Sequence, residues 1–315
     1  MDETKRWIKE RKIMTIELLK EYLLKVYSKD TCYSKCIDNW NMDNPTIGHC
    51  AIVSLLVNDY FGGDIYKIKV DGISHYFNII NNQIIDLTSS QFNRDIDYIN
   101  RELKTKKEVL NSEETKYRYN LLKKRLELLL IDNDIHKCNL CNDMIEKFPN
   151  SKTVSLGKRN DIVILGEAPA NNGWRKSGIA WYDMDHKLLP SGVILQKLLS
   201  EIGLTLEDTY FLEAIKCYPK DRKYLSKCSM NCRKYLFKQL EMIKPKIVLA
   251  LGDAATRSIL DIDYRKFSEV VGKEFTVNGY MVIPVYHPSP VSPLSYKGNI
   301  DIFKRLRNII DNEVE

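Results

Sequence analysis

An α/β fold built as two domains is what this 315-residue sequence predicts, on three observations. Two continuous apolar runs, DIVILG (161–166) and KIVLALG (246–252), each end in glycine, as strands buried on both faces of a sheet do. Around them strands alternate with segments of helical period, which implies an α/β sheet with its site at the carboxyl ends of the strands. The first half reads differently, with helices followed by three short β-type runs, so it forms a unit of its own. The length suffices for two ordinary cores, and the boundary is expected near 132–136, giving domains 1–132 and 133–315.

Taken in order, residues 4–28 carry Ile13, Ile16, Leu19, Leu23 and Val26 at helical spacing and read as an amphipathic helix. A polar stretch runs to Gly48. CAIVSLLVNDY (50–60) reads as a buried helix stopped by Gly62-Gly63. DIYKIKV, HYFNII and QIIDLT read as strands, the last two joined by the tight-turn pair Asn81-Asn82. The charge-rich stretch 96–131 is predicted as one or two helices. Beyond DIVILG come a helix over 192–202, a strand over 208–215, a helix over 232–243, KIVLALG, and a short helix over 253–260. A hairpin turning at Asn278-Gly279 leads into MVIPVYHPSP. GEAPA, the segment Glu213 to Cys217, and HPSP thus all fall at strand ends.

Composition narrows the class. No apolar run reaches the length of a membrane span, and the charged start MDETKRWIKERK has no apolar h-region, so neither a membrane protein nor a secreted one is expected. A cytoplasmic location follows, where clustered thiols bind metal or do chemistry more often than they form disulfides. The net charge of +6 permits a nucleic-acid partner without demanding one. Among the eight cysteines, Cys138 and Cys141 form a CxxC pair that lets two thiolates reach one metal centre. A distant second pair can close a four-thiolate site tying two chain segments together. A chance pair or a zinc knuckle is the plainer reading of CxxC taken alone. Cys32 and Cys36 read as packing or exposed thiols.

The assembly CNLC…LGEAPA…EAIKC…C…ALG…HPSP resembles the iron–sulfur uracil-DNA glycosylases of families 4 and 5, over about residues 136–310. The likeness runs through Cys138 and Cys141, Gly166 to Pro169, Lys216-Cys217, Cys232 twelve residues ahead of Lys244-Pro245, and His287 to Pro290. It implies a three-layer α/β/α domain that binds DNA as a monomer and carries a [4Fe-4S] cluster on Cys138, Cys141, Cys217 and Cys232, with Cys228 a spare thiol. The family everts the target nucleotide and reads its polar edge in a closed pocket. Gly166, Glu167 and Ala168 match its base-contacting loop. His287 matches the histidine that bonds the base's O2 and steadies the leaving anion. Trp181 falls where the family stacks an aromatic ring on the base. PVSPLS resembles the loop that wedges into the duplex, with Val291 as the plug and Leu294 as the alternative. GEAPANNGWRKSG is closer in length to family 5, in which an aspartate activates water. Asp183 and Asp185 are the nearest candidates here, and Glu167 is another.

Family 4 carries Asn where Glu213 stands. An amide can accept from uracil N3–H while donating to O4, whereas an ionised carboxylate only accepts. Glu213 therefore suits cytosine's exocyclic amino group, although a neutral Glu213 could still donate to O4. The expected activity is hydrolytic excision from DNA of uracil or, better, an amino-bearing or modified pyrimidine, in repair or in defence against modified DNA. In the first half, WNMDNPTIGHCAIVSLLVNDYFGGDI…SHYFNIINNQIIDLTSSQF resembles the YunG-type proteins, over about residues 28–130. Cys50 at a helix start, His75 on one strand and Asp86 on the next follow the Cys–His–Asp order of papain-like α+β folds, the recipe for a thiol nucleophile. Two other readings stand beside the glycosylase: a DNA-binding module without catalysis, and a Cys50 hydrolase or acyltransferase targeted to DNA by the C-terminal half.

Overall fold

The computed structural model describes residues 14–311 except 150 and 172. The chain divides into two compact units, Met1–Leu129 and Leu130–Glu315.

The first unit opens with α1 (Ile16–Val26), whose start is capped by the Thr15 hydroxyl accepting from the Leu18 N–H. Residues 4–13 of the expected first helix lie outside the described residues. Then follow α2 (Cys50–Phe61), β1 (Asp64–Val70), β2 (Ile73–Ile80) and β3 (Gln83–Ile85). Asn81 and Asn82 both adopt positive φ, the geometry of the two-residue turn their identities predict. Residues 96–131 are not purely helical. Glu102–Lys104 forms β4, which pairs antiparallel with β1 and completes the order β3-β2-β1-β4. Local charge predicts helix there, but an unpaired sheet edge offers that backbone a better set of partners. After α3 (Lys106–Val109), helix α4 (Glu113–Lys137) runs unbroken through the expected boundary segment. Leu126, Leu130, Ile131 and Ile135 are buried along it, so its helical spacing continues through the segment where the boundary was expected.

The second unit is organised by a six-stranded sheet. Its strands are β6 (Val154–Ser155), β7 (Ile162–Gly166), β8 (Tyr210–Glu213), β10 (Ile247–Leu251), β11 (Phe275–Val277) and β12 (Tyr280–Val285), in the order β11-β12-β10-β7-β8-β6. The four central strands are parallel and the two edges antiparallel. Every residue of β7, β8 and β10 is buried, which explains their unbroken apolar runs. A separate ribbon pairs β5 (Ile145–Glu146) with β9 (Tyr218–Pro219). The chain moves from β7 to β8 on one side and then to β10 on the other. The switch point of the sheet therefore lies between β7 and β10, where ligand sites form at the carboxyl ends.

Helices α5 (Trp174–Ser177), α6 (Pro190–Ser200), α7 (Leu225–Ile243), α8 (Gly252–Ile259), α9 (Leu294–Lys297) and α10 (Ile300–Asp311) complete the unit. Leu195, Leu198 and Leu199 of α6 and Phe303 and Leu306 of α10 pack with Ile164, Leu249 and Ile283 from the sheet. Helix α7 starts seven residues earlier than its periodicity suggests, so Cys228 and Cys232 stand one turn apart on a helix rather than in a loop.

Candidate functional site

A cavity of about 900 Å³ opens at the carboxyl ends of the parallel strands. Gly166, Glu167 and Ala168 line it after β7, Glu213 to Ile215 after β8, Gly252 after β10, and His287 and Ser289 after β12. The loops are tied to one another: Ala214 N–H donates to the Gly166 carbonyl (2.8 Å) and Ile215 N–H to the Glu167 carbonyl (3.0 Å). Gly252 has φ +83°, and a Cβ there would stand 3.3 Å from the His287 Cβ. Only glycine meets both demands without strain.

Glu213 lies at the inner wall of this cavity, its side chain 3 % exposed beside the 1 % of Arg175. Its Oε1 accepts from Trp174 Nε1–H at 2.8 Å, and its Oε2 accepts from an Arg175 Nη1–H at 3.3 Å. Burial pushes the carboxyl's pKa up, opposed by Arg175, Trp174 and Lys216. Arg175 is itself held by its Nε–H to Ser151 Oγ (3.0 Å) and sits over the Phe148 ring. Trp181 also lines the cavity, buried against the Phe211 ring with centroids 4.5 Å apart. Its backbone takes φ +71°, a conformation residues other than glycine seldom adopt, and its indole N–H has no partner among the described residues.

His287 stands open to solvent at the cavity's mouth. The protein around its ring lowers its pKa by desolvation, with Glu167 pulling the other way. Glu167 pairs with Arg222, Oε1 to Nη1 at 3.3 Å. Asp183 and Asp185 are not among the residues lining the cavity. The Asp183 carboxylate instead accepts from the backbone N–H groups of Asp185 and Lys187, both at 2.9 Å, closing its own turn, and Asp185 is exposed. Those two aspartates were placed by sequence proximity to Trp181, and the turn directs them away. Of the two wedge candidates, Val291 is 89 % exposed on the loop after His287, whereas Leu294 begins α9.

Cys138, Cys141, Cys217 and Cys232 line one small cavity of about 20 Å³, together with Ile135, Ile145, Ile215 and Lys216. Cys228 does not line it, although its thiol hydrogen-bonds with Cys141. Among the described residues no three His, Cys, Asp or Glu side chains close to a metal-binding arrangement. Cys141, Cys217 and Cys232 instead pack in one apolar cluster with Ile145 and Ile215, Cys138 joins them only in lining the cavity, and all four are free thiols. Four convergent sulfur donors in an apolar setting, without a lining carboxylate, are a donor set that fits an iron–sulfur centre.

In the first unit the chain brings Cys50, His75 and Asp86 together. His75 Nε2 is 2.6 Å from Asp86 Oδ2, and the Cys50 thiol, which donates to the Ser74 carbonyl at 3.9 Å, lies near enough to the same imidazole to raise its pKa. His75 is fully buried. Burial lowers its pKa, but Asp86 and Cys50 more than compensate and lift it to about 9. Asp86 Oδ1 accepts from the Thr88 N–H (2.9 Å) and its Oδ2 from the Tyr98 hydroxyl (2.9 Å).

Two family models match the chain. One, described as YunG protein, covers residues 15–130, and the other, Uracil DNA glycosylase superfamily, covers residues 155–308. The C-terminal half is a uracil DNA glycosylase superfamily domain, and the N-terminal half a YunG domain. The type-4 uracil-DNA glycosylase of Archaeoglobus fulgidus is 29 % identical over 174 residues, 51 % of this chain and 81 % of that protein. The type-5 uracil-DNA glycosylase of Pyrobaculum aerophilum is 28 % identical over 144 residues, 42 % of this chain and 62 % of that protein. The uncharacterized protein YunG of Bacillus subtilis is 34 % identical over 80 residues, 25 % of this chain and 70 % of that protein.

Within the glycosylase-superfamily domain, Trp174 and Arg175 are site residues the sequence does not reveal. They sit in the GWRKSG stretch, and only the fold brings them to Glu213, 38 and 39 residues away. In the YunG domain the unforeseen residue is Gln91, whose amide donates to the Thr88 carbonyl (2.9 Å) and stands 3.2 Å from His75 Nδ1.

The YunG domain also carries a pH signature. His75 is raised from 6.5 to about 9 on folding, so its stabilisation is complete below pH 6.5 and is lost as pH rises through 9. His49 is fully buried and neutral, bonded to Thr31 Oγ1 and the Ile47 carbonyl, and burial lowers it to about 4. Its contribution is present above pH 6.5 and is lost as pH falls from there through 4. Stability of this domain is therefore expected to peak near pH 6.5 and to fall on either side by on the order of 3 kcal/mol. Urea midpoints read from the methyl resonances of Ile65 and Ile68 across pH 4.5 to 9.5 check this. A midpoint that rises or falls steadily over that range contradicts it.

Proposed function

We propose that the C-terminal domain is a DNA N-glycosylase that holds an everted pyrimidine in the cavity around Glu213 and prefers an amino-bearing or modified pyrimidine to uracil. The observation that carries this is the setting of Glu213: a buried cavity-wall carboxyl aimed at by two donors, Trp174 and Arg175, which act to ionise it against the upward push of burial on its pKa. An ionised carboxylate accepts and cannot donate. The lone pairs left over suit an exocyclic amino group such as cytosine N4, and against uracil they would face O4 with no proton between them. Trp181 supplies an aromatic wall for the base, and its unpartnered N–H is a donor for a base oxygen.

Breaking the C–N bond leaves cation-like sugar and negative charge on the departing base. The backbone N–H groups of the Glu167–Ala168 loop and the His287 ring line the cavity where such donors are needed. A histidine with lowered pKa is neutral at pH 7 and donates to the base without bringing a charge that would hold the anion in place. Among the acids considered for water activation, Glu167 alone lines the cavity, and its ion pair with Arg222 must loosen for it to take a proton. Arg222, Lys223 and Arg257 at the cavity rim suit DNA phosphates. The exposed Val291 suits a wedge replacing the everted nucleotide.

Cys138, Cys141, Cys217 and Cys232 would hold the [4Fe-4S] cluster. When bound it supplies a clamp on the loops rather than a step in hydrolysis. Cys217→Ser is expected to lose more than half of the bound iron, measured by metal analysis of purified protein, whereas Cys228→Ser retains it. Equal iron in both contradicts the ligand set.

The activity is tested with duplexes carrying uracil, cytosine and modified cytosines, scored by abasic-site cleavage. Release of an amino-bearing base at least tenfold faster than uracil is expected. Clean release of uracil with modified cytosines untouched refutes the base preference. Binding without abasic sites on any substrate refutes the activity and leaves a DNA-binding module.

A further inference from the structure

We propose that the YunG domain carries a second and separate active site, in which Cys50 is the nucleophile and His75 the base of a thiol acyl-transfer reaction on amide, ester or thioester carbonyls. The inference does not depend on base excision, and it rests on how three elements of one unit converge. Cys50 is the first residue of α2, a helix of 12 residues. The N–H groups of a helix's first turn have no intrahelical acceptor and carry the positive end of its dipole. Both favour a thiolate and, later, an oxyanion forming beside the sulfur. His75 comes from the middle of β2 and Asp86 from just past β3, so the hairpin register sets their approach.

The hydrogen bonds fix the ring's orientation. Nε2–H of His75 donates to Asp86 Oδ2 at 2.6 Å, so Nδ1 is the nitrogen left to exchange a proton with the thiol. Gln91 stands 3.2 Å from Nδ1, and Phe92 packs edge-on against the ring at 5.0 Å. Asp86 is itself immobilised by Thr88 and Tyr98. A histidine whose orientation is set on every side, with a thiol from a helix start close beside it, is more than packing requires. A structural histidine needs its polar atoms satisfied and does not need a cysteine. His49, in the same unit, shows that simpler arrangement, bonded only to a hydroxyl and a carbonyl.

The reaction balances without a cofactor. With the ring's pKa lifted to about 9, Nδ1 already holds the Cys50 proton before attack, and the thiolate sulfur adds to the carbonyl carbon. The tetrahedral intermediate expels the amine, alcohol or thiol, which leaves with that proton, and a thioester remains on Cys50. Water, deprotonated by the same nitrogen, then adds to the thioester. The C–S bond breaks, the acid is released and the thiol is restored. An amine in place of water gives transfer rather than hydrolysis.

The full chain is treated with iodoacetamide at pH 7 and the labelled cysteines are mapped by mass spectrometry. Separately, p-nitrophenyl acetate is used as a generic acyl donor, and the acetyl adduct is sought on the Cys50 peptide. Cys50 is expected to alkylate at least tenfold faster in the wild type than in His75→Ala, and to carry an acetyl group that Cys50→Ala abolishes. Asp86→Asn should slow alkylation severalfold, with Asp86→Glu restoring part of it, which a purely structural loss would not do. If His75→Ala fails to fold by circular dichroism, the Asp86 pair decides. Unchanged Cys50 alkylation in a folded Asp86→Asn, or the absence of any acetyl adduct on wild-type Cys50, overturns the proposal.

Discussion

Arg175→Met is expected to destabilise the C-terminal domain by roughly 3–5 kcal/mol, the penalty for stripping a buried charge of its partner. Both side chains of the Arg175–Glu213 pair are almost wholly buried. Methionine keeps much of the stem packed between Phe148 and Trp174 but leaves the Glu213 carboxylate with one donor instead of two. The rescue is as informative as the loss. Adding Glu213→Gln replaces the stranded anion with a neutral amide whose oxygen can still accept from Trp174 Nε1–H. The double variant should regain at least half of the lost stability. Under the base preference proposed above, Glu213→Gln alone should also move preference towards uracil, since an amide both accepts and donates. Thermal or urea unfolding of the two single variants and the double variant measures the coupling. A loss under 1 kcal/mol for Arg175→Met would mean that the carboxyl is neutral in the folded protein and that Arg175 serves packing alone.

His287→Ala should lower the single-turnover rate of base release by about 10²–10³-fold, the usual effect of removing one donor from a developing anion. The ring stands open at the mouth of the cavity, so stability should change little. DNA binding should persist, because phosphate contacts carry most of that affinity. Pre-steady-state excision beside equilibrium binding separates the two effects. A fall in binding with an unchanged chemical rate would assign His287 to holding DNA, and the leaving base would then be steadied by the loop N–H groups and Trp181.

Much of the fold was legible because burial on both faces leaves an unmistakable pattern. The IVILG and IVLAL cores of those runs became central parallel strands with no exposed residue. The Asn81-Asn82 and Asn278-Gly279 turns could be read from residue type alone, since few side chains accept positive φ. Where reading failed, partners distant in sequence decided. The edge strand Glu102–Lys104 exists because β1 leaves an edge to be paired. Helix α4 runs on through the expected boundary segment, its buried residues paired with the rest of the fold. The same holds at the site. Motif order was enough to point to the superfamily, yet the two nearest aspartates turned out to close a surface turn.

By itself the sequence determined which backbone segments carry chemistry: strand-end loops, a CxxC pair, a thiol at a helix start. These are local facts of residue type and spacing, and they survive whatever the rest of the chain does. Only the tertiary structure decided which side chains meet. Trp174 and Arg175 reach Glu213, and Gln91 reaches His75, because buried donors and charges must be paired, and the partner is whichever group the packed fold brings within 3 Å or so.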